Sequence, residues 1–80
     1  MLAEDGRHAD ALRWARVAVE RLRNRPEPHD TLGWVYLKSN QPIDAIAEFT
    51  KALEFAPQSK VYREHLDLAK TQLAASAGSR

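Results

Sequence analysis

Asp30 to Asn40, DTLGWVYLKSN, is the stretch whose reading decides the fold. Leu32, Val35, Tyr36 and Ser39 recur at three- and four-residue steps, the period of a helix. Gly33 interrupts that helix at its centre, where glycine costs about 1 kcal/mol relative to alanine. A helix that carries this cost gains where a second backbone or a ring must come close. Gly33 therefore predicts a close crossing, and the rest of the chain should supply the partner.

Working outward, prolines and glycines divide the chain into four helical segments. The second runs from about Pro28 to Ser39, with proline in the first turn, where its missing N–H is harmless. Asn40 follows, a residue suited to the left-handed terminus of a helix. The third runs from about Pro42 to Phe55 and stops before Pro57. The first spans about Ala9 to Asn24, between Gly6 and Pro26. Its apolar positions are Ala11, Leu12, Ala15, Ala18, Val19 and Leu22. The fourth spans about Lys60 to Ala75 and frays over residues 76–80. No period-two strand pattern occurs. Short connections make consecutive helices antiparallel neighbours.

The segments repeat. A shift of 34 residues lays Ala11 on Ala45, Leu12 on Ile46, Ala18 on Ala52, Val19 on Leu53 and Leu32 on Leu66, with no gap. Within residues 26–59 the spaced set is Leu32-Gly33-x2-Tyr36, Ala45-x3-Phe49, Ala52 and Pro57. This resembles one complete repeat of the tetratricopeptide family, whose pattern is W-x2-L-G-x2-Y, then A-x3-F, then P. His29 departs from it in the tryptophan slot. The resemblance extends from about Gly6 to Leu73. Residues 1–25 resemble chiefly the second helix of a preceding repeat, and residues 60–75 the first helix of a following one. The repeat is also similar in style to those of bacterial scaffolds in envelope and exopolysaccharide secretion.

The resemblance implies an all-α fold, a right-handed stack of antiparallel helical hairpins with four helices. His29, Gly33 and Tyr36 should then meet Ala45, Phe49 and Ala52. Pro28, Leu32 and Val35 should pack on Leu12, Val19 and Leu22. Tyr62, Leu66 and Ala69 should pack on Ile46, Leu53 and Ala56. Arg63, Asp67 and Lys70 match His29, Gly33 and Tyr36 one repeat later. All three are charged and spaced to pair with each other. Residues 60–75 therefore read as a capping helix that ends the array in water.

The resemblance further implies a non-catalytic module that binds a peptide or partner protein on its concave face. The first helix of each repeat builds that face. Here it carries Glu27, Asp30, Trp34, Leu37 and Lys38, then Glu64, His65 and Leu68. Trp34 should lie beside Leu68 in an apolar strip, and Asp30 beside Glu64 on an acidic edge. The family's clamp for a C-terminal carboxylate does not carry over, because Asp30 and Trp34 stand in its slots. The alternative is structural. Ala11, Ala15 and Ala18 form a face whose hairpin partner is absent, so the chain either belongs to a longer array or pairs there as a homodimer.

Composition limits other functions. Net charge is +1, and there is no cysteine. Residues 7–25 hold six arginines against two acids, and this reads as a solvated helix face. Nucleic acid is not an expected partner, since neither a high pI nor a recognised motif accompanies the charge. His8, His29 and His65 form no metal motif, and no cofactor motif or nucleophile–base pair is present. An enzyme is not expected, nor a metal or cofactor. No apolar run is long enough for a membrane span. MLAEDGRHAD has no apolar h-region, so no signal peptide is expected. Cytoplasm and periplasm both stay open.

Overall fold

The computed structural model describes residues 2–78, with the side chains of residues 9–76. Four helices follow one another: α1 (Leu2–Arg21), α2 (Pro26–Lys38), α3 (Pro42–Phe55) and α4 (Lys60–Gly78). No strand occurs among the described residues. Each helix packs mainly on its sequence neighbour, and α2 and α4 also touch sparingly. The outcome is a layer of hairpins, 34 × 29 × 15 Å in extent.

Local chemistry sets most of the helix ends. Pro26 and Pro28 open α2, and Pro42 opens α3. Asn40 adopts φ 62°, the left-handed conformation. It closes α2 with two reversed bonds, Asn40 N–H to the Leu37 carbonyl (3.1 Å) and Gln41 N–H to the Tyr36 carbonyl (2.9 Å). This is the Schellman arrangement, which satisfies carbonyls that the helix itself leaves open. Ser59 caps α4, its Oγ accepting the Tyr62 N–H at 3.2 Å.

Several boundaries differ from the sequence expectation: α2 begins at Pro26, two residues before Pro28, and ends at Lys38 rather than Ser39. The first helix starts at Leu2 and runs through Gly6, which sequence reading places before it, and ends at Arg21 rather than Asn24. A single glycine weakens a helix without stopping it. The last helix continues through Ser76 to Gly78 instead of fraying after Ala75. The remainder of the expected tail, Ser79 and Arg80, lies outside the described residues.

The core sits where α2, α3 and α4 converge. Ala45, Phe49, Ala52 and Ala69 have no exposed surface, and Leu32 has 3%. Leu37, Ala45, Phe49 and Ala69 form one cluster, with Trp34, Tyr36, Ile46 and Leu66 packed against it. Gly33 faces the Phe49 ring. A Cβ there would lie 2.5 Å from Phe49 Cε1 and 2.6 Å from Cδ1. The missing side chain is thus the space the ring occupies, and the contact offsets the helix cost of glycine.

At the start of the stack, α1 packs on α2. Pro28 and Leu32 are buried there, while Leu12 and Val19 are half-buried. Leu22 lies beyond the helix end and is 46% exposed, so the expected contact stops short of it. Arg13, Arg16, Arg21, Arg23 and Arg25 are exposed. Arg16 Nη2 donates to the Tyr36 hydroxyl at 3.3 Å. That hydroxyl holds the Arg16 guanidinium above its ordinary pKa.

Candidate functional site

Trp34 is half-buried on α2. It meets rings from two other helices. Phe49 of α3 meets it edge-on, with centroids 6.3 Å apart and planes at 82°. His65 of α4 lies closer, at 4.8 Å and 66°. His65 also touches Phe49, at 5.5 Å. Trp34 also lines an open groove of about 470 Å³ between α1 and α2, with Ala11, Thr31, Val35 and Lys38 as its other walls. A second groove continues along the same helices past Ala15, Ala18, Pro28 and Glu27.

Asp30 does not lie free on an acidic edge beside Glu64. Its Oδ1 accepts from His65 Nδ1 at 2.7 Å, and both side chains are largely buried. The carboxylate is therefore engaged within the chain, whereas Glu27 and Glu64 are exposed. Tyr62 stands nearby. Burial pushes its hydroxyl above the ordinary tyrosine pKa, and the Glu27 and Asp30 carboxylates act in the same direction.

His29 occupies the slot between α2 and α3 at 4% exposure. Its Nδ1 lies 2.9 Å from Glu48 Oε1 and its Nε2 lies 3.2 Å from the Arg23 carbonyl. Phe55 stacks on the ring at 5.8 Å. Both polar partners are acceptors, so an imidazole with one N–H serves only one of them. These bonds tie the hairpin to the chain entering α2.

The expected binding residues divide into three groups. Glu27, Lys38, Glu64 and Leu68 are exposed, Leu68 at 50%. Asp30, Trp34 and His65 are half-buried and joined by the contacts above. Leu37 is 8% exposed and belongs to the core cluster, so it contributes little surface to an apolar strip. The alanine face divides in the same way. Ala11 is exposed, Ala18 is half-buried and Ala15 is buried. Trp14, beside Ala15, is 68% exposed.

Of the residues lining the groove at Trp34, Thr31 and Val35 are absent from the sequence-derived set. Sequence reading assigns Val35 wholly to the stack and Thr31 to nothing. The 34-residue shift places Thr31 opposite His65, and that correspondence was the available signal. His8 carries a side chain outside the described residues. Arg63, Asp67 and Lys70 are exposed on α4. Arg63 bonds back to the Pro57 carbonyl at 3.3 Å. Among the described residues there is no group of three His, Cys, Asp or Glu able to hold a metal ion. Among the described residues no helix is long and apolar enough to cross a membrane.

Residues 26–59, the span from the start of α2 through the turn after α3, match the family model of the tetratricopeptide repeat. No curated protein matches the chain.

Proposed function

We propose that this chain, a repeat protein of the tetratricopeptide type, binds a peptide or partner protein at Trp34, in the groove between α1 and α2, and catalyses no reaction. The tetratricopeptide repeat is in general a protein–protein interaction module. The observation that carries the finer reading is the double setting of Trp34. It is braced by Phe49 and His65, and it also walls a groove. An aromatic ring that is rigid before binding loses little conformational freedom on contact, which is why tryptophan recurs among binding hot spots.

Charge around the groove is mixed. Glu27 and Lys38 stand at opposite ends of α2, and Glu64 is exposed on α4. With Asp30 engaged by His65, a preference for basic residues in the partner rests on Glu27 and Glu64. The test is selection of binding peptides from a displayed random library on the intact chain. Trp34→Ala should weaken the selected peptides by about tenfold or more, as for a hot-spot residue, with the far-UV helix signal unchanged. Equal affinity for the variant discards Trp34 as the anchor.

A second reading, self-association through α1, has its own support in the exposed Trp14 and the groove beside Ala11, Ala15 and Ala18. Light scattering at micromolar concentration tests it. A dimer that Ala11→Glu splits supports it, and a folded monomer removes it. Ala11 is the informative position because Ala15 is already buried within one chain.

A further inference from the structure

We infer that His65 is the positioning residue of the binding surface: its ring, anchored by Asp30, sets the orientation of Trp34. The inference rests on the reading that Trp34 meets the partner, and it adds the element that holds the indole ready.

The geometry is a closed cluster drawn from three helices. Phe49 is the fixed member, with no exposed surface and its ring lodged where Gly33 lacks a side chain. Trp34 meets it edge-on, at 6.3 Å and 82°, so this ring alone fixes one edge of the indole. His65 supplies the second contact. It lies against both rings, 4.8 Å from Trp34 and 5.5 Å from Phe49. Its own orientation is set by the 2.7 Å bond from Nδ1 to Asp30 Oδ1. The anchoring carboxylate stands one turn before Trp34 on the same helix, so the anchor and the indole move together. Thr31, which stands at the place of His65 one repeat earlier, lies exposed on the groove wall.

A brace is separable from a mere packing residue by a signal that reads the indole directly. With Trp14→Phe as the parent, Trp34 is the only indole, since the chain has two tryptophans. Its near-UV circular dichroism reports fixed packing, and the far-UV signal reports helix. His65→Ala should lose most of the near-UV indole band while keeping its helix. His65→Phe, which retains a ring against Trp34 and Phe49, should restore part of it. An undiminished band in folded His65→Ala overturns the inference. Should that variant lose its helix signal, Asp30→Ala decides, because the ring remains and only its anchor is gone. A band equal to the parent's there also overturns it. The measurement uses no partner, so an indole that is braced yet binds nothing refutes the binding reading and leaves this one intact.

Discussion

Phe49 and Ala15 hold the same place in the sequence, one repeat apart, and both are buried. Their surroundings are opposite. Phe49 fills the notch at Gly33, and the α2–α3 hairpin closes around it. Ala15 has no ring to offer. Trp14 beside it is 68% exposed, and an open groove runs along the α1–α2 boundary. Burial alone therefore does not close a helix pair. A small residue closes the gap when a large one faces it, and the α2–α3 pair supplies both sizes. The α1–α2 boundary buries Leu32 beside half-buried Leu12 and Val19, but along Ala11, Ala15 and Ala18 it offers only small residues, and apolar surface stays accessible there.

The strongest way to break this contrast is to remove the large partner. Phe49→Ala makes the α2–α3 contact small on both sides. It should cost about 3–5 kcal/mol, the usual range for a buried phenylalanine. A domain of this size has marginal stability, so the chain should be largely unfolded at 25 °C. A cooperative melt near the parent temperature would remove the contrast. Adding size instead is the milder perturbation. Gly33→Ala places a methyl 2.5 Å from the Phe49 ring. Overpacking of this kind costs about 1–3 kcal/mol, of which alanine's helix propensity returns about 1 kcal/mol. Urea titration should show the loss, and Phe49→Leu in the same chain should recover part of it. Additive losses would mean that the two sites do not share the notch.

The smallest effect lies where α2 meets α4. Burial and the Glu27 and Asp30 carboxylates raise the Tyr62 pKa, so folding favours the neutral hydroxyl. The contribution is complete below the ordinary tyrosine value of about 10. It is lost as pH rises through the higher folded value. The urea midpoint of the parent should fall further than that of Tyr62→Phe between neutral pH and pH above about 10. Identical profiles would place Tyr62 outside the influence of that acidic pair.

The sequence by itself determined the four helices, the turn after α2 and the partners of Gly33. Pro26, Pro28, Asn40, Pro42 and Pro57 act on neighbouring backbone, and the faces of α2 and α3 follow from steps of three and four. The exposed charges of α4 were legible for the same reason. What only the tertiary structure decided is which neighbouring side chains meet between helices. One residue along a helix turns the side chain by about 100°. Glu64 and His65 therefore point about 100° apart, and how α4 is turned against α2 decides which of them meets Asp30. The same sensitivity drew Leu37 into the core and covered Ala15 with its own chain. Periodicity marks a face to within a residue or so. The Asp30–His65 bond, 35 positions apart in the chain, is settled by how three helices turn to share the Phe49 ring.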